Sequence, residues 1–254
     1  MSLDTFARCI DRLPPETGIH FSGFSEPWQN PNCTEMLVHA FRRGHPITVF
    51  TTGAGIRRED VEIIRTIPFQ KFRVHLPDHR GFPGTRVDAR YLQSIESLAT
   101  ARIPDIGFVC PGVEGPDDVH PAVTRLLRTT GTQLNERNFT SRGLVSRAGV
   151  VPPSRGPKPV HRRGVLHRCP FLTKNVLLPN GDVALCCMDY NLRHVLGNLL
   201  VEHYSALHSG RAFRQVVAGL SRDDSEVACR RCELARVADP EGSRPVKDEA
   251  GVET

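Results

Sequence analysis

The chain has 254 residues, a formal net charge of +5 and 39% hydrophobic residues, enough to bury a core in one large domain or in one domain plus a smaller module. The charge is modest and no basic stripe interleaved with aromatics is present, so a nucleic-acid partner is not expected. No apolar run approaches the ~18 residues of a membrane span, and the N-terminal MSLDTFARCIDRLPP, with Asp4 and Asp11 and no apolar stretch, is not a secretory signal; a soluble cytoplasmic protein is the expectation.

Short β-type runs alternate with helical patterns through the first part. Residues 18–24 (GIHFSGF) read as a strand running into a glycine turn, followed by a helix with Met36, Leu37, Ala40 and Phe41 at helical spacing and Gly44 at its end. Residues 47–52 (ITVFTT) form a β-branched strand that stops at Gly53, and 59–67 a short helix. Strands are expected over 72–76 and 106–109, helices over 87–99 and 120–128, and a fifth strand within 133–139. This alternation predicts a parallel sheet with crossover helices, whose ligand sites lie at the carboxyl ends of the strands, where Gly23, Gly53 and Gly55 fall.

Residues 151–168 (VPPSRGPKPVHRRGVLHR) hold four prolines, five Arg or Lys and no acidic residue, and read as an extended, exposed basic linker. A second unit follows over 169–235. In it, Asn175 to Leu178 and Val183 to Leu185 flank Pro179-Asn180-Gly181-Asp182, a hairpin signature, because the Asn-Gly pair supplies the positive φ of a tight turn. Helices are expected around 202–208 and 212–220, and the polar tail 236–254 is expected to fray. The domains are therefore 1–150, a linker over 151–168, the unit at 169–235 and the tail.

Of eight cysteines, five lie between 169 and 232, while Cys9, Cys33 and Cys110 are scattered and read as buried small apolar residues. Cys229-Arg230-Arg231-Cys232 is a C-x2-C knuckle, whose spacing lets both sulfurs face one metal centre. The hairpin returns the chain beside its start, which brings Cys169 near Cys186-Cys187. Four thiolates from separated segments suit a [4Fe–4S] cluster or tetrahedral zinc.

Cys169-x11-Gly181-x4-Cys186 and Cys229-x2-Cys232, together with CPF, LPNGDVALCCMDY, LGN, HSGRAFRQV and CRRCE in that order, resemble the SPASM/twitch domain of radical S-adenosylmethionine (radical SAM) proteins. The resemblance implies auxiliary [4Fe–4S] cluster ligands at Cys169, Cys186, Cys229 and Cys232. Cys187 is the competing neighbour of Cys186, since adjacent strand residues point to opposite faces. The longer SPASM form has further cysteines for a second cluster; this chain resembles the one-cluster form.

The N-terminal part resembles a radical SAM partial barrel more loosely. Residues 19–27 (IHFSGFSEP) look like the motif after the family's second strand, 49–53 (VFTTG) like the end of its third, and Ser146-Arg147-Ala148-Gly149 like a stretch that precedes SPASM domains. The resemblance implies cofactor contacts at Ser22, Gly23, Glu26 and Thr52, with Glu26 against the ammonium of S-adenosylmethionine. One departure is plain: the family's C-x3-C-x2-C motif occurs nowhere in the chain. The chain also begins where the family's first helix begins, so the expected fold is an incomplete parallel (β/α) partial barrel without its first strand, joined to a small α+β cysteine-ligated domain. S-adenosylmethionine binding is then expected only with a completed N-terminus, supplied by an upstream start, and SAM cleavage is not expected of the chain as given. The expected function is that of an iron–sulfur protein of the radical SAM/SPASM type, derived from or truncated from an enzyme that modifies a peptide or small metabolite. The alternatives are a non-catalytic electron-transfer or substrate-binding partner, and a structural zinc protein.

Overall fold

A computed structural model describes residues 1–82, 84–111, 115–132, 134, 139–140, 145–151, 160–166 and 169–238. After the helix α1 (Leu3–Ile10), strands and helices alternate as β1 (Ile19–Phe21), α2 (Cys33–Arg42), β2 (Ile47–Thr51), α3 (Arg58–Ile64), β3 (Lys71–His75), α4 (Ala89–Thr100), β4 (Ile106–Pro111), α5 (Pro121–Thr129) and β5 (Phe139–Thr140). The five strands pair in parallel in chain order, β1-β2-β3-β4-β5. Each crossover therefore carries one helix, and all carboxyl ends fall on one rim. The fifth strand is real but short, and most of the expected 133–139 run lies outside the described residues. Among the described residues no helix is long and apolar enough to cross a membrane.

The aliphatic core lies between sheet and helices: Val49, Phe72 and Val74 from the strands meet Leu37, Ile64, Ile95 and Leu98 from the helices, all fully buried. Phe41, expected on the buried face of its helix, is 41% exposed, because the helix turns Met36, Leu37 and Ala40 inward instead. β1 is the edge strand of the described sheet, and Phe6 of α1 packs its ring on Phe21 at 5.8 Å.

A buried polar chain fixes the turn after β1. The Trp28 indole donates to the Thr34 hydroxyl (3.1 Å), which donates to Asp60 (2.7 Å), and Arg57 donates to the other Asp60 oxygen from its backbone N–H (2.9 Å) and Nε (3.1 Å). Burial alone would raise the Asp60 carboxyl, but the hydrogen bonds from Thr34 and Arg57 outweigh it and hold it below the usual range. A depressed folded pKa stabilises above the unfolded value, about 3.9, and that contribution is lost as pH falls through the folded pKa. Thr34→Val is expected to cost about 1–2 kcal/mol at neutral pH, with the deficit narrowing near pH ~3 as Asp60 protonates. Urea unfolding at both pH values checks this; an equal deficit at both would overturn it.

The second unit holds β6 (Val176–Leu177), β7 (Asp182–Ala184), β8 (Val195–Asn198), α6 (Tyr204–Ser209) and α7 (Arg211–Gly219). The expected hairpin is β6–β7, with Gly181 at φ +89° in its turn; a Cβ there would meet Leu200 at 2.8 Å, so the position needs glycine on two counts. The sheet has a third antiparallel strand, β8, which the sequence reading did not foresee.

Segments outside 169–235 also pack on the second unit. Ala148 and Cys9 are buried in the apolar cluster of the second unit, so α1 and the 146–149 turn pack on it although they precede it in sequence. In the described part of the expected linker, His161 and Arg163 to Val165 are exposed as expected, but its end is docked: Leu166 is 4% exposed, bridges Val237, and donates its N–H to the Leu220 carbonyl at 2.8 Å. Residues 152–159 and 167–168 of that linker, and the tail from 239 onward, lie outside the described residues.

Candidate metal centre

Three short segments carry the cysteines. Cys169 caps a single 3-10 turn, Pro170–Thr173, and its sulfur accepts from the Phe171 N–H at 3.5 Å. The β6–β7 hairpin brings the chain back to Cys186 and Cys187. Asn175 ties the return to the start by donating to the Leu185 carbonyl (2.7 Å), while the Tyr204 hydroxyl donates to its side-chain oxygen (2.7 Å). Beyond the cysteine pair, buried Asp189 accepts from the Arg193 and His194 N–H groups (3.2 and 2.8 Å) and closes the loop into β8. His194 then accepts from the Ala228 N–H at 3.0 Å, which links this loop to the 3-10 turn Ala228–Arg231 that bears Cys229 and leads into Cys232.

Cys186, Cys229 and Cys232 are buried, and Cys169 and Cys187 are half-buried. Burial pushes the Cys186 and Cys229 thiols up to about 12 and Cys232 to about 11, and it raises Cys169 as well. Each of these thiols feels others of the set. Cys229 is raised further by Cys186, Cys232 and Cys169, Cys232 by Cys169, Cys186 by Cys187 and Cys232, and Cys169 by Cys187. The four expected ligands thus share one apolar recess in which their negative charges would repel. Without a cation they are held as thiols; a polycationic group would take up four thiolates and release their protons. This soft, convergent donor set fits an iron–sulfur cluster.

The knuckle is anchored from behind. Arg230, 1% exposed, donates from Nη1 to the carbonyls of Arg162 (3.1 Å) and Gly164 (2.5 Å) and from Nη2 to those of Gly219 (3.2 Å) and Leu220 (2.8 Å). The last two carbonyls end α7, where a cation is favoured by the helix dipole. Nothing in the sequence distinguished Arg230 from its neighbour Arg231, which is exposed.

A second locus lies at the carboxyl rim of the sheet. Both oxygens of Glu26 accept hydrogen bonds from the end of β2. The Thr51 hydroxyl donates to Oε1, and the Thr52 N–H and hydroxyl donate to Oε2, each at 2.7 Å. Glu26 and Thr52 are therefore together, Thr51 joins them unforeseen, and Ser22 and Gly23 sit in the turn directly after β1 on the same rim, with Gly23 at φ +113°. Gly55 is required by close approach, since a Cβ would stand 2.8 Å from the Trp28 carbonyl oxygen.

Residues 169–233 match the family model of SPASM, an iron–sulfur cluster-binding domain. A comparison with curated proteins finds no match. Among solved structures, BtrN in complex with AdoMet and 2-DOIA is similar over 93% of this chain and 80% of that one, with a TM-score of 0.57 and 15% identity. The structure of anSMEcpe with bound AdoMet and Kp18Cys peptide is similar over 92% of this chain and 78% of that one, with a TM-score of 0.55 and 11% identity. At these identities the likeness is one of fold, and it spans both units.

Proposed function

We propose that this chain, a radical SAM/SPASM-type protein with an iron–sulfur cluster-binding domain at 169–233, holds one [4Fe–4S] cluster through Cys169, Cys186, Cys229 and Cys232. The observation that carries the reading is the convergence of those four thiols in one buried recess. When bound, such a cluster supplies one-electron transfer. The chain's own contribution is to bury the thiolates, fix the knuckle through Arg230 and keep water from the sulfurs. A single zinc ion held by the same four thiolates is the alternative reading, and iron and sulfide analysis separates the two.

At the sheet rim, Glu26, Thr52, Ser22 and Gly23 are proposed to form part of an S-adenosylmethionine subsite. The Glu26 carboxylate, oriented by Thr51 and Thr52, keeps free lone pairs for a cationic group. The fold neighbours, whose structures contain AdoMet, hold 2-DOIA in one case and a peptide in the other, which supports a peptide or small metabolite as the substrate class. A second reading is that the chain transfers electrons or binds substrate for another protein.

Four protein ligands close the cluster, so no coordination position is left for S-adenosylmethionine. The reconstituted chain, incubated with S-adenosylmethionine and dithionite, is expected to release no 5′-deoxyadenosine above a no-protein control. Turnover that disappears in Cys186→Ala would overturn the closed site. A longer form that supplies the missing motif is expected to turn over, with cofactor binding weakened by Glu26→Ala.

A further inference from the structure

We propose that Arg147 is a positioning residue of the metal centre: it straps the Cys186-Cys187 arm to the Cys229–Cys232 arm and supplies a fixed positive charge that raises the reduction potential there. This rests on the cluster assignment above.

The strap is a turn of three successive residues in the left-handed region, Arg147 at φ 51°, Ala148 at 54° and Gly149 at 81°. L-residues rarely adopt that conformation, so two in a row persist only where the surroundings over-determine them. Here they do. Ser146 donates from both its N–H and its hydroxyl (2.6 Å) to the two oxygens of Glu233, the residue after Cys232. The Ser146 hydroxyl also accepts from the Gly149 N–H at 3.1 Å, closing the turn. The Arg147 guanidinium then donates to the carbonyl of Cys187, the residue after Cys186, at 2.9 Å. One turn from the barrel side of the chain therefore grips both cysteine arms at the residue next to a ligand.

The electrostatics follow. Glu233 accepts from Ser146 and keeps its charge, and among the described residues no ion pair within 4.0 Å joins a carboxylate to Arg147. The Arg147 guanidinium is held on the Cys187 carbonyl, and the Glu233 charge, felt at Cys232, stays the same in every variant, so removing this cation disfavours the reduced form of a group that gains negative charge on reduction.

The test uses the full chain, reconstituted anaerobically as wild type, Arg147→Ala, Arg147→Lys and Ala148→Gly. Iron and sulfide content, release of iron to a chelator, and the midpoint potential from a titration followed by paramagnetic resonance are measured. Arg147→Ala is expected to release iron roughly tenfold faster, from the loss of a charge-assisted hydrogen bond, and to shift the potential downward. Arg147→Lys is expected to restore the potential while remaining more labile, because an ammonium supplies the charge but not the planar fork. Ala148→Gly, which keeps the turn and removes strain, is expected to match wild type. Equal potential and release in wild type and Arg147→Ala would overturn the proposal. If Arg147→Ala does not fold, a wild-type release rate and a lowered potential in Arg147→Lys would overturn it instead. Wild type that takes up no iron would overturn the cluster assignment itself, a distinct result.

Discussion

Anaerobic reconstitution is expected to load the chain with about four iron and four sulfide and a broad brown absorbance, and Cys169→Ala or Cys232→Ala is expected to abolish that loading. Three local devices hold the four thiols: a 3-10 cap for Cys169, the hairpin return for Cys186, and the Arg230-anchored turn for Cys229 and Cys232. None can be replaced by sliding a neighbour, with one exception. Cys187 is adjacent to Cys186 and is within electrostatic reach of Cys169. We propose Cys186 as the ligand because it is buried in the apolar cluster and within electrostatic reach of both Cys229 and Cys232. Cys187→Ala is therefore expected to be milder than Cys186→Ala. The reverse order would assign the ligand to Cys187, and stoichiometric zinc without sulfide after anaerobic handling would sink the cluster reading.

Arg230→Met is expected to destabilise the C-terminal unit by about 1–3 kcal/mol, a sizeable part of an ordinary domain's ~5–15 kcal/mol. The ion pair is not the cause: Asp223, at 3.3 Å, is 58% exposed and its attraction is screened by water. The carbonyls decide the magnitude. Four backbone oxygens accept from this guanidinium; without it the Leu220 and Gly219 carbonyls keep the Leu166 and Arg222 N–H groups as donors, so the loss is that of the charge-assisted hydrogen bonds, about 1–3 kcal/mol in all. Methionine fills the volume but satisfies none of them. Arg230→Lys is expected to lose less, since one ammonium can reach some of the four. Denaturant unfolding followed in the second unit measures both variants, and a loss below about 1 kcal/mol in Arg230→Met would overturn the anchoring role.

Local patterns made much of the fold legible. The β-branched run 47–52 and the Asn180-Gly181 turn carry their conformations in adjacent residues, and the alternation of strands and helices implied a parallel sheet without reference to any distant contact. The cysteine spacing pointed to the metal centre for the same reason: a knuckle and a hairpin are short-range devices. What was missed depends on partners far along the chain. Residues 195–198 (VLGN) have little strand propensity, yet they form β8 because Asn198 donates to Asp182 (2.9 Å) and to the Asn180 carbonyl (3.2 Å) across the hairpin.

The same division runs through the sites. The sequence by itself determined which residue types could bind metal and at what spacing, while its resemblance to the radical SAM barrel implied Glu26 and Thr52 as cofactor contacts. Only the tertiary structure decided that Thr51 shares the Glu26 carboxylate, because parallel pairing in register brings the end of β2 beside the turn after β1. Only the tertiary structure laid the backbone of 162–166 against the knuckle, where the Arg162 and Gly164 carbonyls accept from Arg230. Cys9 is buried as its residue type implied, but against the second unit and not within the barrel core. Propensity and spacing act over a few residues, whereas burial of a charge or a thiol is settled by whichever distant segment supplies its partners, and that is a property of the folded chain.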